Sequence, residues 1–262
     1  MVRSRDGVEI AFEAHGDVAN PAVVLVHGWA GNRTYWRHQI DPLAAEYYVV
    51  ALDLGGHGGS GIGRKDWNLP AFGDDVVAVV DELGLGKVAL VGHSMGGDAI
   101  VFAATQLGDR VAGMVWVDTL RSLGDEPVST PEMIDAFATP FRENFAAAVD
   151  GFARSLFPPD ADSALVDQVA ADMAGAPQGA TVGSIGYALN RHPPLIAALK
   201  AISAPLVAIN PDVSPTDVAS FQAHGIETVV VAGVGHFLML EDPGEFNPVL
   251  ISSLKAFGGF ER

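Results

Sequence analysis

The chain has 262 residues, 49% of them apolar, enough for one α/β domain with a substantial core or a core plus a small insertion, and too apolar for disorder. It contains no cysteine, which excludes disulfides, thiolate metal sites and a cysteine nucleophile, and its net charge of −17 is spread along the chain, which disfavours nucleic acid and anionic membranes as partners. Residues 1–6 lack the apolar stretch of a signal peptide and no apolar run approaches a membrane span, so a soluble cytoplasmic protein is expected, monomeric or a small homo-oligomer.

Residues 8–14 alternate in polarity and predict an edge strand. Residues 22–26 form a continuous apolar run, a strand buried on both faces, and lead into the loop His27-Gly28-Trp29-Ala30-Gly31. Residues 34–46 read as a helix with Thr34 as its cap, and residues 48–52 as the next strand, followed by Asp53-Leu54-Gly55-Gly56-His57-Gly58-Gly59-Ser60. That glycine-dense loop lacks the lysine of a phosphate cradle and reads as a tight turn behind the site. Residues 69–83 predict a helix with Pro70 in its first turn and Gly84 past its end. Residues 88–91 predict a central strand, 95–106 a helix, and 113–117 a further buried strand closing on Asp118. Strand, loop and helix repeat up to this point, which argues a mostly parallel sheet with helices on both faces.

From residue 120 to 199 that rhythm stops. The segment is rich in Ala, Phe and Met, is punctuated by prolines, and shows helical patterns without a convincing strand. It predicts a helical insertion over the carboxyl edge of the sheet, so that residues 1–119 and 200–262 make the core and residues 120–199 a cap. Strands resume at residues 205–210 and 227–232, and a closing helix spans residues 243–257.

The chemistry gathers at Gly92-His93-Ser94-Met95-Gly96-Gly97, in the spacing G-x-S-x-G between a strand and a helix. Such a turn can be sharp only if neighbouring backbone comes very close, and it presents the serine hydroxyl above the sheet over the positive end of a helix. A serine hydroxyl needs an imidazole to take its proton and a carboxylate to orient that imidazole. His236 follows the last strand on a glycine-flanked loop and is the expected base. His27, His57 and His93 sit in tight turns and read as loop braces, and His192, in the insertion, is a candidate substrate contact. Asp212, after the strand before that of His236, is the expected acid; Asp118 is the alternative, and Asp217 reads as a helix cap. The backbone N–H groups of Met95 and Trp29 are the expected oxyanion donors. Phe137, Phe141, Tyr187 and Phe237 are the expected apolar walls of the substrate pocket. No metal or cofactor site is visible, and the expected partner is a small-molecule ester or lactone.

With these residues in place, the chain resembles the α/β-hydrolase fold family. His27-Gly28-Trp29, the D-x-x-G-H-G-x-S pattern over residues 53–60, Gly92 to Gly97, and Gly235-His236-Phe237 with Glu241-Asp242-Pro243 match in order. The resemblance covers nearly the whole chain and implies a cap where the insertion falls. It implies a carboxylesterase acting through an acyl-enzyme on Ser94, with an N-acyl-homoserine or other lactonase, a cofactor-free perhydrolase and a small-molecule receptor as alternatives. Dehalogenases and epoxide hydrolases of that family use an aspartate where this chain has Ser94, and are disfavoured. The family's acid loop is glycine-led, G-x-x-D; here it reads Asn210-Pro211-Asp212, which leaves Asp118 open.

Overall fold

A computed structural model of the chain describes residues 1–124 and 126–258. Its centre is a seven-stranded sheet. The strands are β3 (Phe12–His15), β4 (Ala22–Val26), β5 (Tyr48–Leu52), β6 (Val88–His93), β7 (Val111–Val117), β8 (Leu206–Pro211) and β9 (Glu227–Val231), in spatial order 3-5-4-6-7-8-9. All pairs are parallel except β3 with β5. The polarity alternation of residues 8–14 proves to be two short strands. Glu9–Ile10 (β2) pairs with Val2–Arg3 (β1) in a separate ribbon, and only β3 joins the main sheet.

Every residue of β4, β6 and β7 is buried, as their unbroken apolar runs require of strands covered on both faces. Helices α1 (Arg37–Ala44), α2 (Leu69–Glu82), α3 (Met95–Leu107) and, at the carboxyl end of the chain, α12 (Pro243–Ala256) supply that cover. The helix expected over residues 34–46 opens instead as a 3-10 turn, Arg33–Trp36, with the Asn32 side chain accepting from the Thr34 backbone N–H; Thr34 is not the cap. Two hydrophobic clusters result, one on each face of the sheet.

Between β7 and β8 the described residues form six helices: α4 (Pro131–Glu143), α5 (Phe145–Ser155), α6 (Ser163–Ala174), α7 (Gln178–Gly183), α8 (Ile185–Leu189) and α9 (His192–Leu199). Polar ties fasten this insertion to the core. Trp29 Nε1 donates to the Thr181 carbonyl at 2.9 Å, Arg191 pairs with Asp98 at 3.0 Å, and Tyr187 donates to Asp66 at 2.8 Å. Two short helices complete the chain, α10 (Val218–Ala223) and α11 (Leu238–Glu241). Among the described residues, no helix is long and apolar enough to cross a membrane.

Candidate active site

The turn from β6 into α3 is held by the absence of side chains. A Cβ on Gly92 would strike the Gly96 carbonyl, and one on Gly96 would strike the carbonyls of Val26 and His27. Ser94 is thereby forced to φ 52°, ψ −121°, a region that L-residues avoid. Its backbone N–H donates to the Val117 carbonyl at 2.9 Å and its carbonyl accepts from Gly97 N–H at 2.9 Å, so the strained conformation is pinned from both sides. The α3 axis starts at the next residue, and the Met95 N–H lies in the turn where no helical carbonyl can accept it. The His27-Gly28-Trp29 loop closes on the same point: a Cβ at Gly28 would stand 2.9 Å from His93 Nδ1 and 3.0 Å from Ser94 Cβ.

His236 and Asp118 meet. Nδ1 of His236 lies 2.6 Å from Asp118 Oδ2; an ionised carboxylate only accepts, so Nδ1 carries the hydrogen and Nε2 is left with its lone pair. Asp118 is 7% exposed, sits at φ 45° just past β7, and its other oxygen is ion-paired with Arg121 Nε at 2.9 Å. Asp212, the acid expected from the sequence, is exposed and does not reach His236; its Oδ1 accepts from Gly233 N–H at 2.9 Å, closing the turn after β9. Strand register is the reason. The last β6–β7 pair is His93 with Val117 and the last β7–β8 pair is Val117 with Ile209, so Ser94, Asp118 and Asn210 stand level. Asp212 lies two residues farther along, about 6–7 Å of extended chain.

The loop bearing His236 is fastened on three sides. Glu241 accepts from Gly235 N–H at 2.8 Å and from Phe237 N–H at 2.9 Å, the amides on either side of the histidine. Burial pushes the Glu241 carboxyl up, and those two amides oppose the shift. His236 N–H donates to the Leu156 carbonyl of the insertion at 3.0 Å. His93 Nε2 donates to the His236 carbonyl at 2.9 Å while its ring lies 4.5 Å from the His236 ring. Burial holds His93 well below the ordinary histidine value, so it remains a neutral brace. His27 and His57 brace loops as well. His27 Nε2 accepts from Leu54 N–H at 3.0 Å, and burial takes His57 down to about 3.

Two cavities flank Ser94. The first, about 230 Å³, is lined by Gly28, Trp29, Met95, Phe137, Phe152, Met173 and Phe237 among others, and is mostly apolar. The second, about 400 Å³, is lined by Asp118, Arg121, Glu126, Ser155, His192 and Ser214; Ser94, His236 and Arg191 border both. Of the expected pocket walls, Phe137 and Phe237 line the first cavity. Phe141 does not: it is 5% exposed and packs behind the wall against Trp29 and Phe152. Tyr187 lines neither cavity, because its hydroxyl is turned outward to Asp66. Sequence reasoning missed Tyr35 and Arg191 at the site and gave Glu241 no role. No periodicity marks these positions, although Arg121 at three residues past Asp118 was a legible partner for it.

The comparisons with known proteins agree with this architecture. The family model described as alpha/beta hydrolase fold matches residues 21–171. The dihydrolipoyllysine-residue acetyltransferase component of the acetoin cleaving system of Pseudomonas putida is 32% identical over 144 residues, 49% of this chain and 38% of that protein. Epoxide hydrolase 4 of Homo sapiens is 36% identical over 99 residues, 37% of this chain and 27% of that protein. The chain thus matches well under half the length of these curated relatives. Over almost its full length it superposes on the crystal structure of an esterase, RhEst1, from Rhodococcus sp. ECU1013, with 25% identity, a TM-score of 0.78, and 98% of each chain covered.

Proposed function

Because the chain belongs to the α/β-hydrolase fold family, we propose that it is a serine hydrolase of carboxylic esters, with Ser94 as nucleophile, His236 as base and Asp118 as the acid that orients it. The observation that carries this reading is the 2.6 Å contact between His236 Nδ1 and Asp118 Oδ2 beside a serine held at φ 52°, both histidine and serine lining one cavity. The likeness to the Rhodococcus esterase supports the same reaction class.

In this mechanism Nε2 of His236 takes the Ser94 proton as Oγ bonds to the ester carbonyl carbon. The N–H groups of Met95 and Trp29 receive the oxyanion. The tetrahedral intermediate collapses by breaking the carbon–oxygen bond to the alcohol, whose oxygen takes the proton from His236. Water, deprotonated by the same Nε2, then attacks the acyl-serine carbonyl; the bond from the acyl carbon to Ser94 Oγ breaks, Oγ takes the proton back from His236, and the carboxylic acid is released. The Asp118 carboxylate fixes the productive tautomer throughout. The apolar cavity accepts the hydrocarbon limb: an apolar cavity of about 150 Å³ holds one benzene ring, so about 230 Å³ suits an aryl group or a short to medium chain.

The test is hydrolysis of p-nitrophenyl esters from acetate to dodecanoate, with Ser94→Ala alongside. Turnover is expected to peak at short or medium chains and to vanish in S94A while the far-UV spectrum is unchanged. Turnover retained by S94A refutes the assignment, and γ-lactones hydrolysed in preference to every open ester would move it to a lactonase.

A further inference from the structure

The loop that carries the proposed base lies between the core and the cap, and the histidine's own amide is held by the cap. Three amides run in succession through this loop. Those of Gly235 and Phe237 are accepted by Glu241 of the core at 2.8 and 2.9 Å. The middle one, the N–H of His236, donates to the Leu156 carbonyl at 3.0 Å, and among the described residues it has no other acceptor. Leu156 caps α5 and begins the turn toward α6. The next residue of that turn, Phe157, lays its ring on Phe237, with 5.0 Å between centroids and 26° between planes. Resting on the ester-hydrolase reading above, we infer that residues 156–158 of the cap are a positioning element for His236, with Phe157 as the positioning residue, so that the base stands in working geometry only while this part of the cap is seated on the core.

The two backbones touch. A Cβ added to Gly235 would stand 2.6 Å from the Leu156 carbonyl oxygen, 2.8 Å from Pro158 Cδ and 3.1 Å from Phe157 Cα. Gly235 is not at positive φ, unlike Gly233 at 75°, so what requires glycine there is the approach of the cap and not the backbone angle. Two glycines ahead of the histidine leave the loop conformationally free, so its position comes from what grips it. Phe237 is 3% exposed and meets Tyr35 edge-on at 5.8 Å, so its ring is fixed to the core on one side and to Phe157 of the cap on the other. The same turn reaches the substrate. Leu156 lines both cavities beside Ser94, while Gly235, Phe157 and Pro158 line neither. A substrate limb in either cavity thus bears on the residue whose carbonyl holds the base, and Phe157 acts on the reaction only through the histidine loop. The Tyr187 to Asp66 tie, by contrast, joins cap to core by a hydrogen bond that involves none of these residues.

The experiment measures kcat and KM on p-nitrophenyl butyrate for Phe157→Ala, Phe157→Tyr, Gly235→Ala and Tyr187→Phe. It also records, without substrate, the proton resonance of His236 Nδ1–H, which the short bond to Asp118 sets far downfield of the amides. In G235A the new methyl must part loop and cap turn by about 0.8 Å to reach ordinary contact, and a displacement near 1 Å costs up to about 100-fold, so kcat is expected to fall about 10- to 100-fold with KM within about twofold. F157A is expected to lose about tenfold in kcat with the same constancy of KM, F157Y to return to within about twofold of the wild type, and Y187F to stay there. The Nδ1–H resonance is expected to move upfield or broaden in F157A and G235A and to hold its place in F157Y and Y187F. Should one of F157A and G235A not fold, the other decides. Wild-type kcat and resonance in the folded variants overturn the inference and leave the ester-hydrolase reading in place. So does a loss confined to KM, and so does a Y187F that loses as much kcat as F157A, since any loosening of the cap would then suffice. Absence of Ser94-dependent turnover of any ester refutes the ester-hydrolase reading, and the coupling of cap to base then stands or falls on the resonance alone.

Discussion

Replacing Asp118 by Asn tests the orienting carboxylate at the level of single hydrogen atoms. In the wild type one carboxylate oxygen is ion-paired with Arg121 Nε at 2.9 Å and the other accepts from His236 Nδ1–H at 2.6 Å. An asparagine has only one acceptor. Arg121 can do nothing but donate, so the amide oxygen must turn to it and the NH2 must face His236. Nδ1 is then obliged to accept, the ring hydrogen moves to Nε2, and Nε2 can no longer take a proton from Ser94. The geometry survives but the tautomer is wrong. In serine proteases the equivalent change costs about 10⁴-fold in kcat, or about 5.5 kcal/mol at 1.36 kcal/mol per decade. D118N should lose about 10³- to 10⁴-fold in kcat on p-nitrophenyl butyrate with little change in KM. D212N should stay within about threefold, because an asparagine oxygen still accepts the Gly233 N–H. A D118N enzyme keeping more than a tenth of the activity, or a D212N enzyme losing as much as D118N, would refute this reasoning.

Three further outcomes follow from the same geometry. Ser94→Gly should unfold at higher urea than Ser94→Ala, by about 1 kcal/mol, because glycine adopts φ 52°, ψ −121° without strain and alanine does not; an S94A protein as stable as S94G contradicts the strain. Glu241→Gln keeps one acceptor but sets an NH2 against the other flanking amide, so the His236 loop shifts, and kcat should fall about 10- to 100-fold with KM nearly constant; an unaltered kcat would show that the loop holds its place without the carboxylate. His57 folds with its titration lowered to about 3 from an ordinary value near 6.5, so the unfolded chain gains a proton that the folded chain refuses. Its contribution is fully present above about pH 6.5 and is lost as pH falls from there toward 3. His27 and His93 act in the same direction, while the raised carboxyls of Asp75, Asp98 and Glu241 oppose them. Urea unfolding between pH 6 and 4 should therefore give a steeper loss of stability in the wild type than in His57→Gln, by up to about 1.4 kcal/mol per pH unit, and equal slopes would mean that His57 is protonated in the fold.

Much of this protein was legible in its sequence because much of its chemistry is local. Gly92, Ser94 and Gly96 must be contiguous to make a turn whose backbone touches itself, so the turn could be read from six letters. Buried parallel strands announce themselves as apolar runs, and His236 could be picked from eight histidines because a glycine-flanked loop after the last strand has only the carboxyl edge to go to. The acid could not be chosen this way. Asp118 and Asp212 both follow strands of the same sheet, and what separates them is that β8 runs on two residues past the level at which β7 ends, a matter of register that no property of either segment reveals. The same holds for the pocket walls. Phe137 and Phe141 lie one helical turn apart in α4, yet one faces the cavity and the other backs it, and Tyr187 turns away to a carboxylate that is 121 positions distant. The sequence by itself determined the strand–turn–helix that strains Ser94 and the alternation that builds the sheet, since both arise between near neighbours along the chain. Only the tertiary structure decided which carboxylate His236 meets and which side chains line the cavities beside Ser94, because those contacts depend on how far each strand extends and how each helix is rotated, and such offsets are set by packing between segments that the chain order keeps apart.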